Sequence, residues 1–173
     1  MNKNIKSTRF RQDKKAYYLL EHPEKYPGLI ERHESDRKLL LYRYPSFKPS
    51  ASWSLFENKN IYWIRRIEWN SPKWFPSHHI NPCTMGSEST FSSKLAKNVL
   101  SSFCSIEFST LKQSENIGID GTVYGINSKN WELSFSLQWW CLPSDEWKPL
   151  ADWFDNTVNI FEQFLPESTC RNR

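Results

Sequence analysis

Residues 133–154, LSFSLQWWCLPSDEWKPLADWF, place an alternating stretch directly before an amphipathic one and contain four of the nine tryptophans of the chain. Up to Cys141 apolar and polar residues alternate, which is the period of a β-strand with one buried face. We therefore predict a strand over residues 131–141, with Trp140 on its polar face. Its core-facing residues are predicted to be Trp131, Leu133, Phe135, Leu137 and Trp139.

The second half of this stretch predicts the start of a long amphipathic helix. Pro149 belongs near a helix start, because an interior proline costs about 3 kcal/mol. Residues 144–148 could form a tight first turn, or the regular helix could start near Pro149. An i, i+3, i+4, i+7 stripe predicts the core face: Trp147, Leu150, Ala151, Phe154, Val158, Phe161 and Leu165. Trp153 lies beside the stripe and could be shared between the core and a partner.

Upstream, residues 37–44, 52–56 and 61–69 read as strands, with a turn at ENKN between the last two. In IYWIRRIEW, alternation puts Arg65 on an apolar face and Arg66 on the opposite, polar face. Arg65 is predicted to lie near a sheet edge with its head group in solvent; the alternatives are a buried cation held by a carboxylate and a group that reads a ligand.

Residues 13–21 and 92–104 predict two further helices, and Asp-Gly in IGIDGTVYGI predicts a turn before a short strand, with INSKN turning the chain again. The fold class is therefore predicted as α+β. We expect an antiparallel meander of at least four strands, covered on one face by the helices near 92–104 and 147–164. The length of 173 residues fits a single domain over residues 1–173, in which residues 1–12 could be disordered.

Residues 71–91 contain three prolines and no period, which predicts a long loop. His78, His79 and Cys83 lie in it, but their spacing matches no established zinc site and no fourth ligand is evident. A Cys-His nucleophile pair has equally little support, because no third group is identified that would orient it. We predict no metal site, and we expect the four cysteines to be reduced thiols, most of them in the core.

Charge is distributed unevenly along the chain. Residues 1–50 hold 12 Lys or Arg against 6 Asp or Glu, and residues 111–173 hold 5 against 9. The basic segment could contact nucleic acid, but its cations stand beside acids, as in Glu31-Arg32 and Asp36-Arg37, so we expect such binding to be weak and nonspecific. The chain has no run of 18 apolar residues and no apolar signal segment, which predicts a cytoplasmic protein without a membrane span.

Four stretches, in this order, carry a resemblance to a known family: YRYPSFKPSASWSLFE, IYWIRRIEW, DGTVYGI and WW..PSDEWKPL. They resemble small bacterial immunity proteins encoded beside secreted toxins of the type VI or polymorphic kind, over about half of the chain. The resemblance implies a cytoplasmic, non-catalytic protein that binds and neutralises a cognate toxin. It carries over no residue role, and the basic amino-terminal segment departs from it.

The residues themselves indicate no reaction. The chain has five glycines and no phosphate-cradling loop, no spaced carboxylate pair and no recognisable triad. We therefore predict that the protein is not an enzyme and uses no cofactor. A toxin-binding immunity protein is favoured, ahead of another protein-interaction module, a weak nucleic-acid binder and an enzyme. The sequence specifies neither the toxin nor the oligomeric state.

The predicted contact surface is the acidic face of the carboxy-terminal helix with its apolar flank. Asp145, Glu146, Asp152, Asp155 and Glu162 concentrate negative charge there, and Trp153 supplies the flank. Such a surface could steer a basic partner and anchor it. Alternatively, the acids form a solvated face and Trp153 belongs to the core. Arg66 and Trp140 are reserve candidates if an exposed sheet face binds instead.

Overall fold

The computed structural model describes residues 13–70, 83–108, 120–129, 134–141 and 143–168. These residues form a six-stranded sheet in which every neighbouring pair of strands is antiparallel. Its strands are β1 (Arg37–Pro45), β2 (Ser50–Asn58), β3 (Ile61–Asn70), β4 (Cys83–Phe91), β5 (Thr122–Lys129) and β6 (Ser134–Trp140). They lie in the order β4-β3-β2-β1-β5-β6, which confirms the predicted antiparallel α+β meander.

The tight turn between β2 and β3 follows from its two central residues. Lys59 and Asn60 have φ angles of 51° and 63°, in the left-handed region that two-residue hairpin turns require. Asn58 pairs with Ile61, so the register of the hairpin is set at the turn. The predicted ENKN turn is confirmed.

Within the described ranges, three α-helices accompany the sheet: α1 (residues 13–21), α2 (Ser93–Cys104) and α3 (Lys148–Phe164). The start of α3 combines both alternatives that the sequence left open. A 3-10 turn over Asp145–Trp147 leads directly into the regular helix, and Pro149 lies in its first turn, where its missing N–H has no helical partner to lose. None of the helices among the described residues is long and apolar enough to cross a membrane.

Helices α2 and α3 cover one face of the sheet, here called the α2–α3 face, on which Leu41, Trp53 and Ile64 are fully buried. Phe154 of α3 sets its ring edge-on against Tyr124 and Trp139, with ring centroids 5.5 Å apart in both pairs. Farther along α3, Phe161 meets Phe91 edge-on at 5.4 Å. Therefore α3 runs obliquely from β5 and β6 to β4, and the predicted sheet contact of its apolar stripe is confirmed.

The opposite face, here called the α1 face, is also partly covered. Ala16 and Leu20 of α1 pack against Ile67 and Trp69, and all four are buried. The two longer helices lie on one face, as predicted. The position of α1 on the other face was not predicted, because its described residues, 13–21, are too few for a pattern that indicates its target.

Two local predictions were wrong. Residues 71–91 were predicted to be a loop, but Cys83–Phe91 form strand β4. The segment INSKN was predicted to be a turn, but β5 extends through it to Lys129. β4 has the sequence CTMGSESTF, without apolar alternation, and it forms because its backbone pairs with β3 at the edge of the sheet. His78, His79, Trp131, Leu133 and residues 1–12 lie outside the described residues.

The cysteines are distributed differently from the prediction of a mostly buried set. Cys104 is a free thiol and exposed, and Cys141 is free and partly exposed. Cys170 and the side chain of Cys83 lie outside the described part of the chain.

A buried ion network fastens residues 22–37 to the α1 face. Arg65, which has no exposed surface, and Arg32 both bind the Glu88 carboxylate, and Arg32 donates to its two oxygens at 2.8 and 2.5 Å. Arg37 donates to Glu24 at 2.8 Å. Arg65 is therefore a buried cation held by a carboxylate, and the prediction that its head group reaches solvent is wrong because residues 22–37 cover it. Arg32 and Arg37 are neutralised by distant acids rather than by their sequence neighbours.

This network predicts a measurable dependence of stability on pH. Burial alone would raise the pKa of Glu88, but the hydrogen bonds and charges of Arg32 and Arg65 hold it below its ordinary value. Ionised Glu88 thus contributes stability that is present above its unfolded-state pKa and is lost as pH falls through the lower folded-state pKa.

We expect Glu88→Gln to lower the free energy of unfolding in urea at neutral pH, and the difference from the unmodified chain to shrink as the pH falls through the lowered folded-state pKa of Glu88. Protonation then makes Glu88 uncharged, like the glutamine that replaces it. A difference that stays constant over the whole pH range would contradict the role of the Glu88 charge.

Candidate partner-binding cleft

A cleft of about 340 Å³ opens between the first turns of α3 and the adjoining ends of β5 and β6. It is lined by aromatic, acidic and small residues from these three elements and from the segment that joins β6 to α3. They are Tyr124, Trp139, Cys141, Pro143, Asp145, Lys148, Ala151, Asp152 and Asp155. The cleft therefore contains part of the acidic surface that the sequence predicted, together with aromatic residues that it did not assign there.

The aromatic wall of the cleft consists of Tyr124 and Trp139. The two residues are direct cross-strand neighbours in the β5–β6 pair, and their rings stack with centroids 5.5 Å apart and an angle of 7° between planes. Phe154 contacts both rings edge-on from the core side. Because packing and the β-ladder both hold these rings, the wall is preorganised for a ligand.

The rim of the cleft carries more negative than positive charge. Asp145, Asp152 and Asp155 face one lysine, Lys148, whose Nζ lies 2.8 and 2.6 Å from the two Asp152 oxygens. Lys148 and Asp152 are both exposed and stand one helical turn apart. Exposed pairs of this kind are weak, so an incoming cation can compete with Lys148 for Asp152 at little cost.

Asp155 differs electrostatically from the other acids of the rim. Partial burial raises its pKa, the Arg43 guanidinium of β1 opposes this, and the nearby Asp152 carboxylate raises it further. A second cation beside Asp155 would favour its charged form. The cleft is therefore better suited to a positively charged group than to a neutral or anionic one.

Cys141 closes the cleft where β6 ends. Its φ angle of 52° turns the chain sharply after the strand, and the backbone N–H of Thr122 donates to its sulfur at 3.4 Å. A side chain at position 121 would displace its neighbours, because a Cβ there would overlap the Cys141 sulfur and lie too close to the Trp140 ring. Among the described residues, no three His, Cys, Asp or Glu side chains come together as a metal site.

The structure brings together Asp152 and Asp155 of the predicted site residues, but it places Arg66 and Glu162 elsewhere. Arg66 lies on the α2–α3 face with 2% of its surface exposed. Its Nη1 donates to Glu162 at 2.5 Å, and its Nη2 donates to the Pro166 carbonyl at 2.8 Å. Trp53 donates its indole N–H to the other Glu162 oxygen at 2.7 Å. The prediction that Arg66 lies on an exposed sheet face is wrong, because α3 covers that face.

Glu68 completes this second network. It lies 2.9 Å from Nε of Arg66, close enough for an ion pair although not aligned as a hydrogen bond, and it accepts from Ser168 at 2.7 Å. The network ties the end of α3 to β2 and β3. Glu162 was predicted on the exposed acidic face of the helix, but its carboxylate instead forms an ion pair with the buried Arg66.

The two tryptophan candidates are also less accessible than predicted. Trp153 is 8% exposed, donates its indole N–H to Ser102 Oγ at 2.9 Å and packs against Phe103. The alternative that placed Trp153 in the core is therefore correct. Trp140 is partly buried and points to the α1 face, as the alternation predicted, away from the cleft. Its indole nitrogen is buried without a hydrogen-bond partner.

Tyr124 and Trp139 line the cleft, but neither was predicted as a candidate binding residue. Alternation identified Trp139 as a core residue, which is correct for most of its surface. That the two rings lie side by side depends on the register between β5 and β6, which the periodicity of a single strand does not indicate.

Comparisons of the chain with protein families, with curated proteins and with solved structures found no match.

Proposed function

We propose that the protein is a stoichiometric binding protein of the immunity type, which captures a cognate protein toxin in the cytoplasm and neutralises it without catalysis. The proposal rests on the cleft, in which a preorganised aromatic wall adjoins three carboxylates and one lysine. In this view the cleft receives a Lys or Arg side chain of the toxin. The immunity role itself is suggested by the resemblance of the sequence to that class of proteins.

The chemistry of the cleft matches the two parts of such a side chain. The aliphatic stem or the guanidinium plane of the guest can pack on Tyr124, where a cation over a ring contributes about 0.5–2 kcal/mol. Its charged end can then pair with Asp152 or Asp155 on the rim. Aromatic anchors beside charged groups are typical of the residues that dominate binding energy in protein interfaces.

The remaining charge pattern supports attraction at longer range. A net negative rim raises the rate at which a basic partner arrives, for example a nuclease toxin whose own site attracts phosphate. Nucleic acid itself is less well supported as the partner. Arg32, Arg37 and Arg65 are paired within the protein, and salt-dependent binding to phosphates requires cations that are free to displace counterions.

The proposal is tested by co-expression with the products of the genes adjacent to this one. We expect one of these products to be toxic when expressed alone, to be harmless beside this protein, and to copurify with it in a fixed ratio. If no adjacent product is toxic, or if toxicity persists although both proteins are expressed in folded form, the proposal is wrong.

Charge reversal in the cleft gives the sharper prediction. We expect Asp152→Lys combined with Asp155→Lys to weaken toxin binding by about a hundredfold and to abolish protection, because both rim carboxylates become repulsive cations. Calorimetry of the purified pair measures the loss, and circular dichroism checks that the variant is folded.

The matched control carries the same change in charge at two exposed acids that do not line the cleft, Glu31→Lys with Glu107→Lys. It should reduce binding only slightly, through the slower long-range approach of the toxin. Equal losses in the two variants would show that net charge matters and that the cleft is not the binding site.

A further inference from the structure

Strand β6 is the last strand in the order of the sheet, on the side where the cleft lies. Within the described part of the chain it pairs with β5 alone. Alternate residues of such a terminal strand direct backbone N–H and C=O groups away from the sheet, where another extended chain can pair with them.

The composition of β6 does nothing to discourage such pairing. Its sequence, SFSLQWW, has no charged residue, no proline and no glycine over seven residues. Natural edge strands are normally protected by charges, prolines, bulges or very short length. The other terminal strand, β4, follows this rule, because Glu88 points inward from it and is held by Arg32 and Arg65. The two edges of the sheet are thus chemically different.

The terminal edge of the described sheet, at β6, and the cleft form one continuous surface. Trp139 belongs to β6 and also to the aromatic wall of the cleft, and Cys141 follows the strand directly. A strand added to β6 would lie about 4.8 Å away, with side chains on the same two faces. Those of its residues near Trp139 that point to the α2–α3 face would lie beside the acidic rim.

We infer that the partner binds by adding an extended segment of about seven residues to β6 as a seventh strand, with a Lys or Arg of that segment in the cleft. This inference rests on the proposed function and names the form in which the toxin presents its basic residue. Backbone pairing along β6 supplies contact area, and the cleft supplies charge selectivity. A second copy of this chain fits less well, because it would bring another rim of net negative charge against the first.

The test uses peptides in place of the toxin. A phage-displayed library of random nine-residue peptides is selected on the immobilised protein, and one enriched peptide is synthesised. We expect enriched sequences to lack proline, to favour β-branched residues and to carry Lys or Arg. Hydrogen exchange should then show slower exchange of amides in β6 on peptide binding, with little change in β4.

Methylation of peptide backbone nitrogens separates strand addition from simple charge attraction. Methyl groups on one alternate set of residues should abolish binding, because those N–H groups pair with β6, and methyl groups on the other set should leave it nearly unchanged. The charge of the peptide is the same in both. Equal losses in the two sets would overturn the inference.

Two lysine variants provide the control within the protein. Ser136 of β6 and Thr90 of β4 are both exposed, so either should accept lysine without unfolding the chain. We expect Ser136→Lys to lower peptide affinity about tenfold and Thr90→Lys to leave it unchanged. A lysine on a terminal strand disfavours the pairing of another strand with that edge, and only β6 is proposed to pair with the peptide.

Three other outcomes would also overturn the inference: enriched peptides without basic residues, protection of amides outside β6, or a dimer of the protein itself that Ser136→Lys dissociates. Toxin neutralisation does not enter this test. The proposed function can therefore fail while peptide addition to β6 succeeds, and the converse can also occur.

Discussion

Replacing Arg65 by alanine is expected to lower the free energy of unfolding by about 3–5 kcal/mol. The side chain is completely buried, and its nitrogens donate to Glu88 Oε2 at 2.8 Å and to the carbonyls of Pro23 and Ile30, both at 2.5 Å. The substitution removes one of the two arginines that bind the Glu88 carboxylate, and it leaves the buried Pro23 carbonyl without its donor. Leaving such groups unpaired costs more than the pair itself contributes.

Urea unfolding followed by tryptophan fluorescence measures this effect. Lys148→Ala is a suitable control, because it removes a cation from an exposed pair and should cost less than about 0.5 kcal/mol. The double variant Arg65→Ala with Glu88→Ala should lose less than the sum of the single variants, because the two residues share one interaction. Additive losses would show that the Arg65–Glu88 pair does not hold this network together.

Replacing Phe154 by alanine is expected to cost about 3–5 kcal/mol of the free energy of unfolding. Phe154 is 1% exposed and meets Tyr124 and Trp139 edge-on between α3 and the sheet. The truncation removes a buried ring and leaves a cavity that two rigid aromatic neighbours cannot fill. Because the same ring supports the aromatic wall of the cleft, partner binding should weaken as well.

Phe164→Ala is the matched control for this prediction. Phe164 lies on the same helix but is 42% exposed, so its truncation should cost at most about 1 kcal/mol. Thermal or urea unfolding of both variants gives the comparison. Similar losses for Phe154→Ala and Phe164→Ala would contradict the assignment of Phe154 to the centre of the α3 packing.

Most of the secondary structure was predictable because each long element has a clear period. β3 and the end of β6 were predicted to within three residues of their structural bounds, and the apolar stripe of α3 predicted its contact with the sheet. β4 was not predictable from its own residues. CTMGSESTF has no amphipathic pattern, and it becomes a strand because β3 presents an edge that pairs with its backbone.

The candidate cleft was predictable only in part. Asp152 and Asp155 were identified as a charged surface of the helix, and they do line the cleft. Arg66 and Glu162 each fall on the polar side of their own element, but those two sides face one another and pair in the interior. A polar pattern shows which residues share a face, and it cannot show whether solvent or another polar face covers it.

By itself the sequence determined the antiparallel α+β class, the identity of the main strands and helices, and the residues that share each face. These properties depend on backbone geometry and on contacts between near neighbours in the chain. Only the tertiary structure decided that Arg65 and Arg66 are both buried on opposite faces, that Tyr124 and Trp139 form one wall, and that β6 is the terminal strand of the sheet formed by the described residues. Each of these depends on pairing between residues far apart in sequence, for which the local pattern contains no information.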